Sequence, residues 1–146
     1  MGVSFEAHGG YGFPVNLGRS VLKSSKEIQK AIWKRLPSKA KGYFSNRKEF
    51  FSEDSYDSDM LIAAFPEISF ISIINPYTEY QDEQKPDWLA VARRSQSTVY
   101  DDAGVVRLPV ESYKPTAEEL EALSLLKSFA PKGDRKLGWH IGFSIG

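Results

Sequence analysis

Cysteine is absent from this 146-residue chain, which excludes disulfides, Cys-based zinc sites, iron–sulfur ligation and thiol catalysis together. Stability must come from packing. The most apolar stretch, Met60 to Ile74, is broken by Pro66 and Glu67 and is too short to cross a bilayer as a helix. The first residues, Met1 to Glu6, have neither the basic nor the apolar region of a secretory signal. A cytoplasmic protein without a membrane partner is therefore expected. Long low-complexity or single-sign runs are also missing, while 41% of residues are hydrophobic and 13% aromatic. One compact domain spanning residues 1–146 is the expected organisation.

Net charge is zero, but the charges are sorted along the chain. Residues 19–48 hold ten Lys/Arg against one acid, and residues 49–87 hold ten Asp/Glu against one lysine. Two such blocks either fold back and neutralise each other or present opposite charge to solvent, and only the second outcome implies a charged partner.

Val3, Phe5 and Ala7 alternate with Ser4, Glu6 and His8, which predicts a strand near residues 2–8, and Gly9-Gly10-Tyr11-Gly12 predicts a turn after it. Beyond Ser24 or Ser25 as N-cap, Ile28, Ala31, Ile32 and Leu36 recur at helical spacing among lysines until Pro37, so residues 24–36 read as a basic amphipathic helix. Lys39 to Phe51 suits a short helix interrupted at Gly42, and Ser52 to Asp59 an acidic loop. Met60 to Phe65 is either a strand or a helical turn capped by Asp59. Ile68 to Ile74 is β-branched and aromatic, a candidate for the sheet centre.

Trp88 to Arg94, Ser97 to Tyr100 and Val105 to Leu108 suggest strands, with a hairpin turn at 101–104. Thr116-Ala117-Glu118-Glu119 fits a capping box, followed by a helical face of Leu120, Leu123, Leu126 and Ala130. In the last strand Leu137, Trp139, Ile141, Phe143 and Ile145 share a face expected to pack, opposite Gly138, His140, Gly142, Ser144 and Gly146. The expected class is α+β: a mainly antiparallel sheet of about four to six strands with two or three helices, the terminal strands possible neighbours.

Lys23, Lys26, Lys30, Lys34, Arg35, Lys39 and Lys41, interleaved with Trp33 and Tyr43, form the expected partner- or anion-binding set. Cations and aromatics together are what phosphate and base recognition uses, although a charged outer face is ordinary for an amphipathic helix and no nucleic-acid-binding motif accompanies it. Asp57-Ser58-Asp59 begins like a calcium loop, but Met60, Leu61, Ala63 and Ala64 stand where ligands belong, so no metal is expected. Gly142 to Gly146 matches G-x-S-x-G without a following helix, and Gly9 to Gly12 lacks the Gly-Lys-Ser/Thr ending of a phosphate loop. No cofactor is implied.

The two histidines, His8 and His140, lie on the sparse faces of the terminal strands. Were those strands to pair, Glu6, His8, His140 and Ser144 would line one shallow, glycine-floored site for general acid–base work. Against this, glycines in strands commonly admit a close neighbour and histidines there are usually just hydrogen-bonded.

The leading expectation is a small non-catalytic binding or inhibitory protein, of the size of viral modulators or assembly subunits, that engages another protein through its charged and aromatic surface. Surface candidates among the aromatics include Trp33, Tyr77, Tyr80 and Trp88. The alternatives are a nucleic-acid or nucleotide binder using helix 24–36, and a small enzyme centred on His8 and His140.

Overall fold

The computed structural model describes residues 5–73, 87–100, 113–131 and 136–145. Within them, five antiparallel strands form one curled sheet accompanied by six short helices. In chain order these are β1 (Phe5–Val15), α1 (Arg19–Leu22), α2 (Lys26–Arg35), α3 (Ser38–Lys41), α4 (Arg47–Phe50), α5 (Ser58–Ile62), β2 (Ile68–Ser72), β3 (Trp88–Ala92), β4 (Ser97–Tyr100), α6 (Ala117–Leu126) and β5 (Gly138–Ile145). The fold is α+β. The helix count exceeds the expected two or three because residues 38–62 break into one-turn pieces. Only α2 and α6 reach ten residues, and no helix among the described residues is long and apolar enough to span a membrane.

Local capping chemistry accounts for the helix starts. Ser25 caps α2 by accepting from Ile28 N–H at 3.3 Å. Asn46 caps α4, and Glu49 returns a bond to Ser45 N–H that holds its carboxyl below the usual range. The cap of α5 is Asp57 rather than the expected Asp59: its carboxylate accepts from Asp59 N–H at 2.9 Å, and residues 58–62 are helical, not extended. Thr116 and Glu119 form the predicted reciprocal capping box on α6.

The terminal strands do pair. β1 runs through the middle of the sheet, with β5 along one side from Phe5↔Ile145 to Gly12↔Gly138. Along its other side lie β4, at Glu6–Gly9, and β3, at Gly12–Val15. Among the described residues β2 pairs with β3 alone, so the apolar 68–72 segment is not the sheet centre. Its Ile68 and Ile71 are buried on opposite sides of the sheet, in two separate apolar clusters.

The expected turn at Gly9–Gly12 is strand instead. Gly9 faces Ser97 and Gly12 faces Val91, so the two residues between them oppose the five residues 92–96. The excess is taken up by a 3-10 turn at Arg93–Ser95. Buried Ser95 staples this bulge: its hydroxyl accepts from Tyr11 N–H at 2.9 Å and donates to Ala92 O at 2.6 Å. A Cβ on Gly12 would lie 1.8 Å from Ala90 O, and one on Gly10 2.6 Å from Val91 Cβ. Glycine is needed here for close approach of neighbouring strands, not for a turn.

Helices cover one sheet face, where Phe13, Val15, Ile32, Phe50, Leu61 and Phe65 are buried together with Leu123, Leu126 and Phe129. Phe50 is the hub of an aromatic cluster, with ring centroids of Phe51 at 4.8 Å, Phe44 at 4.9 Å and Tyr56 at 5.8 Å. The Tyr56 hydroxyl donates to Leu17 O at 2.6 Å, and burial raises its pKa.

Three expectations about facing fail for tertiary reasons. Leu120 is 42% exposed while Glu119 is buried at 3%, because the carboxylate is held by donors from Arg94, Tyr113 and Thr116. Ile141 is 57% exposed despite its place in the alternation, and Gly142 on the supposedly bare face is buried. A Cβ there would sit 3.5 Å from Ile73 and 3.6 Å from Leu89. The hairpin turn 101–104, the strand 105–108, Tyr77, Tyr80 and acidic residues Glu79, Asp82 and Glu83 lie outside the described residues.

Candidate functional site

Helix α2 turns Ile32 fully into the core, which leaves Lys26, Lys30 and Lys34 on its exposed side. These positions are successive i,i+4 neighbours, where like charges destabilise a helix by a few tenths of a kcal/mol per pair. The stripe thus works against the helix that carries it. Lys23 before it and Lys39 and Lys48 after it are exposed as well. Among the described residues no ion pair joins Lys23, Lys26, Lys30, Lys34, Lys39 or Lys41 to an acid.

The aromatics of this segment divide. Trp33 is half-buried, tilted against Phe50 at 6.2 Å, with Lys41 Nζ 5.8 Å from the centre of its ring. Tyr43, by contrast, is 63% exposed. Arg35 leaves the expected contact set: its Nε donates to Ala64 O at 3.0 Å, it forms an ion pair with Glu67, and its guanidinium stacks 5.0 Å from the Phe65 ring. A planar guanidinium suits such a half-buried position, whereas the lysine ammonium groups stay in water.

The acidic block is partly used in folding. Glu67 pairs with Arg35, Asp57 caps α5, and Asp87 accepts from Leu17 N–H at 3.1 Å. Glu53, Asp54, Asp57 and Asp59 remain exposed. Arg35 to Glu67 is an ion pair between the two blocks, and among the described residues it leaves the lysine stripe out.

At the start of α6 a polar node centred on buried Glu119 extends the expected capping box to Arg94 and Tyr113, which nothing in the local sequence marks. Glu119 accepts from Arg94 at 2.7 Å, from Thr116 N–H at 2.8 Å and from the Tyr113 hydroxyl. Burial opposes its charge, yet the bonds from Arg94, Tyr113 and Thr116 outweigh that and hold its carboxyl down to about 2. Burial and the bond to Glu119 push the Tyr113 phenol up to about 12. With both carboxylate oxygens engaged and Tyr113 packed against Tyr11 and Trp139 at about 6 Å, this node is a clasp between the 3-10 turn after β3, strands β1 and β5, and α6.

The second candidate lies on the sheet face away from the main core. Register places Glu6 opposite Ser144, His8 opposite Gly142 and Gly10 opposite His140, so the four residues grouped from alternation share one face. His8 and His140 occupy diagonal positions on it. His8 Nε2 is 3.3 Å from Glu6 Oε2, and its Nδ1 is 3.1 Å from Thr98 Oγ1. His140 Nδ1 is 3.1 Å from Gly138 O. Thr98 comes from β4, directly across from His8; nothing in the local sequence marks it, because only non-local strand pairing brings it there.

The glycine motifs lose their apparent chemistry. Gly142–Ile145 lies within extended β5 rather than a nucleophile elbow, and Gly9–Gly12 within β1 rather than a phosphate loop. No protein family, curated protein or solved structure matches the chain.

Proposed function

We infer that this chain is a binding protein whose docking surface is the lysine stripe of α2 with its flanks, and that its partner is an acidic surface of another protein. The observation that carries this reading is the exposed i,i+4 row Lys26, Lys30 and Lys34. It opposes helix stability, and no described acid pairs with it. Lys23 and Lys39 extend the positive field, which would steer an acidic partner, and exposed Tyr43 supplies an aromatic anchor. The lysines' long stems can cover apolar surface while their charges meet carboxylates.

A nucleic-acid partner is the alternative, favoured by an exposed tyrosine set among lysines that no described acid pairs with, since bases stack on aromatic faces while cations follow the phosphates. An affinity capture with wild-type protein and the double variant Lys30→Glu/Lys34→Glu, each with and without nuclease, separates them. The expected result is a single protein partner that survives nuclease and is lost on charge reversal. Loss on nuclease treatment, with a steep fall in affinity as salt rises, would establish the alternative; retention by the double variant would overturn both.

A further inference from the structure

Glu6, His8 and Thr98 form a line of polar side chains across β1 and β4, with His8 in ion-pair range of Glu6 and hydrogen-bonded to Thr98. An ionised carboxylate repels a nitrogen lone pair, so in neutral His8 the proton resides on Nε2, 3.3 Å from Glu6 Oε2. Nδ1 is then the bare nitrogen. Its partner 3.1 Å away, Thr98 Oγ1, must donate. The hydroxyl proton therefore points at an imidazole lone pair, and the far side of that ring faces the Glu6 carboxylate. Carboxylate, imidazole and hydroxyl in this order are the components of an activated nucleophile, with the two ring nitrogens exchanged relative to the familiar hydrolase arrangement.

The surroundings suit a small acyl group. Thr98 is exposed and His8 only partly so, hence a reagent can reach the hydroxyl. Across from His8 stands Gly142, where the missing side chain leaves Ile73 and Leu89 within about 3.6 Å of the Cβ position. Together with Ile71 and Val91 they form an apolar cluster separate from the main core. A polar reacting line thus borders an apolar cluster of which Ile73 is the partly exposed member among the described residues.

We propose that Glu6, His8 and Thr98 constitute an acyl-transfer site, with Thr98 Oγ1 as nucleophile, for activated esters of short apolar acids. This extends beyond partner binding and departs from the non-catalytic expectation; it does not rest on the lysine stripe. Thr98 Oγ1 bonds to the acyl carbon as its proton passes to His8 Nδ1. The carbonyl pair moves to oxygen and returns as the bond to the leaving oxygen breaks, and that oxygen takes the proton from Nδ1. Water then attacks the acyl-threonine, giving its proton to His8, which passes it to Thr98 Oγ1 as the acid departs. The net change is ester plus water to acid plus alcohol, with no redox component.

His8 and Thr98 are the catalytic residues in this scheme and Glu6 is a positioning residue. The test is incubation of the full chain with p-nitrophenyl acetate and p-nitrophenyl butyrate, following nitrophenolate release and locating the acyl group by peptide mass spectrometry. Acylation is expected on Thr98, reduced about 10²-fold or more by His8→Ala, abolished at that site by Thr98→Val and preserved by Thr98→Ser. Glu6→Gln should lower kcat about tenfold and leave KM unchanged, because the imidazole loses the carboxylate that orients it. Among the described side chains the other titratable group on this face around His8 is His140 on β5. Acyl groups confined to lysines, or a rate unchanged in both His8→Ala and Thr98→Val, would overturn the proposal. Circular dichroism of each variant separates loss of chemistry from loss of fold.

Discussion

The two faces of the sheet differ in what fills them. On the helix-covered face Phe13, Val15 and Ala90 meet Phe50, Leu61, Phe65 and Leu123 in one continuous core. On the other, Leu89, Val91 and Ile71 make a small cluster beside Gly10, Gly142 and the polar line Glu6, His8, Thr98. Alternation along β3 makes the division plain: Trp88 and Ala90 belong to the first face, Leu89 and Val91 to the second. One face holds the fold together by volume. The other is thin enough that hydrogen-bonding groups remain near solvent, where they can act on something else.

The same contrast separates two glutamates. Glu119 is enclosed and has its acceptors occupied by Arg94, Tyr113 and Thr116, so its charge serves structure. Glu6 faces a titratable imidazole at a partly open position. A carboxylate surrounded by fixed donors is a clasp, whereas one opposite a histidine can respond to proton transfer.

Truncation of the aromatic hub should test the first face most severely. Phe50→Ala removes a fully buried ring in contact with four others, and a loss of about 3–5 kcal/mol in urea unfolding is expected; a loss below about 1 kcal/mol would deny that this face carries the stability. Next comes Gly12→Ala, expected to cost about 3 kcal/mol. Its Cβ would collide with the Ala90 carbonyl, and protection of the β1–β3 amides in hydrogen exchange should fall while the β1–β5 amides keep theirs longer.

Glu119→Gln is expected to cost about 2 kcal/mol at neutral pH. The folded carboxyl titrates at about 2, below its unfolded value of about 4.3, so its contribution is complete above the unfolded value and is lost as pH falls toward the folded one. The stability difference between wild type and variant should therefore persist at pH 7 and close between about pH 4.5 and 2. A difference that instead grew on acidification would refute the clasp.

Gly142→Ala should have the smallest effect, within about 0.5 kcal/mol of wild type and in the stabilising direction. The added methyl meets Ile73 and Leu89 at ordinary contact distance. Set beside Gly12→Ala, it separates a glycine required by close strand approach from one that merely leaves room, and thermal melts of the two variants would show it.

Much of the local structure was legible. Ser25, Thr116 and Glu119 announced their helices by capping chemistry, and period-two alternation placed Glu6, His8, His140 and Ser144 on one side before any pairing was known. The site they belong to was legible only in part, since Thr98 enters through strand pairing ninety positions away in sequence. Arg35 could not be told from its lysine neighbours by charge. Only its reach to Ala64 and Glu67 removes it from the surface set. Gly10 and Gly12 looked like a turn because glycine permits both a turn and a close strand contact.

Sequence alone determined the α+β class, the two longer helices with their caps, the pairing-ready terminal strands and the segregation of charge, because each depends on spacing and side-chain type over a few neighbouring residues. Tertiary structure decided which charges were spent internally and which stayed in water, that Glu119 rather than Leu120 faces inward, and that a threonine completes the line from Glu6 through His8. Those outcomes turn on which strands and helices meet, and burial changes the energy of a charged or polar group only once its partners are in place.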